Sequence, residues 1–161
     1  QSTTGNLLNV GLLTSNFRAV NFTAADRTVG NSALFTPGVA GSASSYYTVP
    51  STGVYSLNYN FRYDQGVRLS LSLFSGVPGI GIVRQTSGGA ISFLENRAFS
   101  GANVTILGVG LYITISESQI SSLYQLNAGD RLYFGLTSSS IADLGALGGT
   151  TASFSIHKVS N

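Results

Sequence analysis

The sequence predicts an all-β sandwich or barrel, and three observations carry that prediction. Short segments of period-two alternation recur along the chain. Clusters of Gly, Ser, Pro and Asn interrupt them about every ten residues, and helical periodicity is nearly absent. The first strand is predicted in NFRAVNFT (16–23), after an apolar lead NLLNVGLL (6–13). SYYTVPSTGVYSLNYNFRY (45–63) holds two strands around PSTG, where Pro50 fixes one φ and Gly53 frees another.

The second of these strands alternates almost without fault. Tyr55, Leu57, Tyr59, Phe61 and Tyr63 share one parity, and Ser56, Asn58, Asn60 and Arg62 the other. Large apolar rows are most often buried, so the aromatic row is expected to pack across the sandwich interior. VRLSLSLFSG sets Val67, Leu69, Leu71 and Leu73 against Arg68, Ser70 and Ser72, and VPGIGIV then turns the chain back. In NVTILGVGLYITISES one parity reads Leu107, Val109, Leu111, Ile113 and Ile115. TISESQISSLYQL is the one stretch whose apolar spacing could pass for a helix, and its serines argue against one. RLYFGLTS and ASFSIHKV complete the set, with Leu132, Phe134 and Leu136, then Phe154 and Ile156, pointing inward.

Composition narrows the function. A chain of 161 residues is a single-domain length, read as one domain over 1–161 with 1–14 as an N-terminal extension or stalk junction. Gln1 in place of Met reads as a processed mature chain or an excerpt of a longer one. Charged residues are only 9%, where about 25% is usual. Ser, Thr, Asn and Gly must therefore supply the polar surface, which suits an exposed, self-associating domain. The eight cations (Arg18, Arg27, Arg62, Arg68, Arg84, Arg97, Arg131, Lys158) are scattered singly. Nucleic acid demands a concentrated basic footprint, so it is excluded as a partner. No apolar run approaches the ~20 residues of a membrane-spanning helix. Without cysteine there is neither a disulfide framework nor a thiolate metal site.

Catalytic chemistry is also unsupported. Asp26, Asp64, Glu95, Glu117, Asp130 and Asp143 include no near neighbours, and the single histidine, His157, has no G-x-S-x-G elbow to serve. The chain is therefore expected not to be an enzyme, with His157 a surface strand residue. Asp130 in NAGDR is expected to hold a turn by side-chain bonds. Asn21 and Asn103 open matches to the glycosylation sequon, which chance also explains in so Asn- and Thr-rich a chain. The polar row Ser56, Asn58, Asn60 and Arg62 meets water by default. Beside tyrosines, the same side chains also make glycan- and protein-recognising surfaces, so Asn58, Asn60 and Arg62 are the ligand-face candidates.

Three stretches, in order, carry a family resemblance. They are NFRAVNFT, then ALFTPGVAGSASSYYTVPSTGVYSLNYNFRY with its Pro-x-x-Gly-x-Tyr turn and aromatic strand, then ISSLYQLNAGDRLYFGL, with ASFSIHKVSN closing. Together they resemble the globular head domain of complement component 1q, in the tumour necrosis factor-like superfamily. Segment 75–105 matches that pattern poorly, and Trp and Cys are absent. The Gly/Ala/Ser/Thr-heavy style is closer to bacterial members that cap collagen-like filaments on spore or cell surfaces. The resemblance implies a ten-strand jelly roll assembled as a homotrimer at an extracellular surface, for assembly, adhesion or recognition. A lectin-like or receptor-binding module is the alternative, with a glycan or surface protein as partner. By the same carry-over, Tyr133 or Phe134, with Tyr55 and Tyr59, are trimer-interface candidates, the alternative for each being a place in the subunit's own core. Some members hold calcium, for which Asp64 and Asp143 are the loop acids that could serve. Neither lies in a D-x-D-x-D cluster, so no cofactor is expected.

Overall fold

The computed structural model describes residues 2–4, 12–14, 16–26, 28–39, 44–63, 67–69, 79–98, 103–107, 110–114, 117–137 and 150–161. At 2–4, 12–14, 63, 67–69, 103–107, 110–114 and 150 it describes the backbone only. Fourteen strands lie among these residues, in place of the ten expected. In chain order they are β1 (Ser2–Thr4), β2 (Leu12–Thr14), β3 (Phe17–Ala19), β4 (Phe35–Thr36), β5 (Tyr46–Thr48), β6 (Gly53–Tyr63) and β7 (Val67–Leu69). There follow β8 (Gly79–Gln85), β9 (Ile91–Ala98), β10 (Asn103–Leu107), β11 (Gly110–Thr114), β12 (Glu117–Leu126), β13 (Arg131–Thr137) and β14 (Thr150–Ser160). Short 3-10 turns at Ala24–Asp26 and Ser32–Leu34 are the only helical pieces described.

One sheet runs β1-β14-β6-β12 and the other is built around β13, which pairs β8 on one side and β3 and β5 on the other. All pairs are antiparallel. The chain crosses between these two sheets from β5 to β6, β12 to β13 and β13 to β14, and again from β6 to β8 by way of β7 and from β9 to β12 by way of β10 and β11, whereas the β2–β3, β4–β5 and β8–β9 pairs stay within the second sheet. That alternation is jelly-roll connectivity. The extra strands are short. β2 and β4 lengthen the second sheet, and β7, β10 and β11 form a three-stranded sheet of their own. β8 and the β10–β11 hairpin are elements that the sequence reading had not separated, β8 because its glycines break the alternation.

β6 behaves as its alternation demands. Tyr55, Leu57, Tyr59 and Phe61 are buried, Ser56, Asn58 and Asn60 half-buried, and Arg62 exposed. Across the sandwich Leu132, Phe134 and Leu136 of β13 and Ile80 and Ile82 of β8 meet them in one core. Phe134 stands at its centre. Its ring lies parallel to Phe154 with centroids 4.2 Å apart, and Tyr59 is 5.5 Å away. Segment 117–126 is a strand, as its serines implied, and it pairs with β6 along its whole length.

The centre of the second sheet, β8 and β13, is buried on both faces. Phe17, Ala19, Val83 and Tyr133 form a smaller cluster on the side turned away from the sandwich interior, with Tyr46 against it. Glycines at 79, 81 and 135 flatten that side, and the Phe17 ring lies over Gly135 with its edge to Phe93, 5.7 Å between centroids. Such covering by an aromatic compensates the missing side-chain packing of a strand glycine.

The four interface candidates therefore find their partners at home. Tyr55, Tyr59, Tyr133 and Phe134 are at most 5% exposed in the single chain and pack on its own residues. In the single chain they are core residues. Burial raises the pKa of Tyr59, whose hydroxyl has no hydrogen-bond partner among the described residues.

One buried serine joins the two strands that share an edge of β13. The Ser45 hydroxyl donates to the Val20 carbonyl at 2.9 Å and accepts from the Phe22 N–H at 3.0 Å, while the Ser45 N–H donates to Asn21 Oδ1 at 3.0 Å. Removing it strands a buried donor and a buried acceptor. Ser45→Ala is accordingly expected to cost about 1–3 kcal/mol, read as a lower urea midpoint at unchanged slope. A midpoint equal to that of the wild type would mean that the hydroxyl carries nothing.

Asp130 holds its turn as expected. Its carboxylate accepts from the Asn127 N–H at 3.0 Å, the Asp130 N–H donates to the Asn127 carbonyl at 3.1 Å, and Gly129 supplies a φ of +84°. Arg84 approaches the same carboxylate to 4.0 Å.

Candidate functional site

The polar parity of β6 is the middle row of a wider surface. Register places Ser155, Asn58 and Ser121 side by side across β14, β6 and β12, with Ser153, Asn60 and Gln119 forming the next row. Directly opposite residues on neighbouring strands share a face, so these rows make one patch. Asn58 ties its row together, accepting from Ser121 Oγ at 2.6 Å and reaching Ser155 Oγ at 3.5 Å. Asn60 Oδ1 is buried with no partner among the described residues. Charge appears at one end only, among the described side chains. Thr151, Arg62 and Glu117 form one end row, and His157, Ser56 and Leu123 the other, where Leu123 is 64% exposed.

The structure therefore brings the ligand-face candidates Asn58, Asn60 and Arg62 onto one surface. His157 stands exposed at its edge, with no acid in its cross-strand row. The two calcium candidates, Asp64 and Asp143, lie outside the described residues. Among those described, no three His, Cys, Asp or Glu residues gather in a way that could hold a metal ion. Asn21 turns its side-chain oxygen to the Ser45 N–H, and of Asn103 only the backbone is described.

A second polar cluster went unnoticed in the sequence because its members are distant along the chain. Glu95 of β9 accepts hydrogen bonds from Tyr124 and, at 2.9 Å, from Ser122 of β12, and Arg97 lies 3.5 Å away. It bridges the edges of the two sheets. The Tyr124 hydroxyl, ahead of Ser122 and Arg97, holds the Glu95 carboxyl below its ordinary pKa. Burial, then the bond to Glu95, pushes the Tyr124 phenol up to about 12. Because the folded carboxyl titrates below its unfolded value, its stabilisation is present above the unfolded pKa and is lost as pH falls through the folded one. Tyr124→Phe is expected to flatten the acid side of the stability–pH curve. The check is denaturant midpoints between pH 3 and 6, and parallel wild-type and variant curves would contradict it.

Among the described residues, no helix is long and apolar enough to cross a membrane. No family model matches the sequence. No curated protein matches it either. Among solved structures, the chain is similar to murine APRIL in its crystal structure at pH 8.5, at 14% sequence identity and a TM-score of 0.46, over 99% of this chain and 92% of that one.

Proposed function

We propose that the protein is a non-enzymatic head domain that self-associates as a homotrimer at an extracellular surface and mediates assembly, adhesion or recognition there. The observation that carries this reading is the face of β14, β6 and β12. Its two central rows hold Ser, Asn and Gln without a single charge, while Arg62 and Glu117 stand at one end. Depletion of charge in the middle of a patch is one compositional mark of a protein–protein interface. The trimeric number comes from the resemblance to complement 1q-like heads, and the aromatic rings first considered for the axis are replaced in that role by this face.

Light scattering on a size-exclusion column tests it. Three chains of 16.7 kDa give about 50 kDa, and that mass is expected at micromolar concentration. Ser121→Arg places a cation from every copy in the charge-free centre and is expected to release monomers of 16.7 kDa with an unchanged β-sheet circular dichroism spectrum. A wild-type mass of one chain would overturn the proposal.

A further inference from the structure

The two ends of the polar face differ in kind. One carries Arg62 opposite Glu117. The other is the row His157, Ser56 and Leu123, with Val54 and Gln125 beyond it on the same side of the sheet. Residues directly opposite on neighbouring strands share a face, so the His157 imidazole and the Leu123 side chain belong to one surface. Leu123 is 64% exposed, and Val159, the extra residue of the β14 bulge, is 58% exposed. Among the described side chains, this end of the face is free of charge as long as His157 is neutral.

No carboxylate among the described residues faces that imidazole. On β14 the nearest ionisable group is Lys158, whose ammonium turns aside to Ser51 Oγ at 3.0 Å and Asn161 Oδ1 at 2.6 Å. On the face side, β6 brings Val54, Ser56 and Asn58, and β12 brings Ser121, Leu123 and Gln125. The groove between β14 and the loop 28–31, which His157 also lines, adds the Tyr47 phenol, whose pKa burial raises, and no charged side chain. Histidine is the side chain that ordinarily changes charge between about pH 5 and 8. The sequence holds this one histidine and no cysteine.

We propose, building on the reading of this face as the contact between copies, that protonation of His157 separates the copies. The assembly holds at neutral and higher pH and loosens as pH falls through the histidine range. A neutral imidazole enters the contact as one more uncharged polar group that both donates and accepts, like the Ser, Asn and Gln around it. A proton removes the acceptor and adds a charge, which contact must then desolvate beside Leu123 without an acid to pair it. Three copies bring three such charges. The separated chains therefore bind more protons than the trimer, and by linkage acid favours separation.

Sedimentation of the whole chain over a dilution series, at about pH 8 and about pH 5.5 in equal salt, tests this. Carboxylates ordinarily titrate below about pH 4.5 and stay ionised at both values. The wild type is expected to need about tenfold or more protein to remain trimeric at the lower pH, with an unchanged β-sheet circular dichroism spectrum. His157→Gln, which takes up no proton, is expected to show the same affinity at both values, whatever its level. His157→Lys carries the charge throughout and is expected to be as weak at about pH 8 as the wild type is at about pH 5.5. A trimer equally tight at both values, His157→Gln loosening as the wild type does, or His157→Lys as tight as the wild type at the higher pH would overturn the inference and leave the trimer standing. Loss of the β-sheet spectrum at the lower pH would assign the change to unfolding and overturn it too. A one-chain mass at the higher pH would overturn the trimer itself, and the inference with it.

Discussion

Gly135→Ala is expected to destabilise the chain by about 3 kcal/mol or more, at or beyond the upper end of overpacking costs. The position lies in β13, opposite Ala19 of β3. A Cβ there would run into the backbone carbonyl of Arg18, and it would stand 2.7 Å from Cζ of Phe17. A flexible side chain could swing aside, but a carbonyl in a sheet ladder cannot. The methyl group must push β3 away from β13 and lift the Phe17 ring that covers the second sheet. Guanidinium unfolding would measure the loss, and the companion variant Phe17→Ala/Gly135→Ala separates its parts. Truncating the ring relieves one contact and leaves the carbonyl clash, so the double variant should be no more stable than Gly135→Ala. A Gly135→Ala midpoint indistinguishable from that of the wild type would mean that β3 does not approach β13 as described.

Phe134→Ala is expected to cost about 3–5 kcal/mol, the range for emptying a buried aromatic site. Phe134 is 3% exposed, stacks on Phe154 and lies against Tyr59, so it links β13 to both β14 and β6 across the sandwich. Its removal opens a void that three strands share, and rigid sheets collapse poorly into such voids. Domains of this size have only about 5–15 kcal/mol of net stability, so the variant can lose half of it. Phe134→Leu keeps most of the volume and should lose distinctly less. Equal losses for the two variants would show that the stacked pair with Phe154 matters more than the filled volume.

The periodic strands were legible because their two faces meet different surroundings. Tyr55 to Phe61 could be placed indoors, and Ser56 to Arg62 outdoors, by alternation alone. The serines of 117–126 likewise removed the helix that its apolar spacing allowed, and the NAGD turn announced itself through Gly129 and Asp130. β8 was less legible. GIGIV is buried at every position, because Phe17, Phe93 and Thr137 approach the glycine side while Ile80 and Ile82 fill the core side. A strand covered on both faces has no polar parity to betray it.

The candidate surfaces divide in the same way. Sequence identified the polar row of β6, since local alternation puts Asn58, Asn60 and Arg62 on one side. It had no means of choosing between core and interface for Tyr133 and Phe134, because both environments ask for the same rings. Only the folded chain shows these rings already covered by their own strands. Glu95 with Ser122 and Tyr124, and Ser45 between Val20 and Phe22, also exist only through long-range pairing. By itself the sequence determined the β class, the inward and outward parity of its regular strands, the low charge and the turn at 127–130. Tertiary structure decided which strands became neighbours, and with that which polar groups met and which rings were used up in the core. The physical reason is range. Alternation and turn chemistry act over a few residues, whereas sheet order is settled by contacts between strands far apart along the chain.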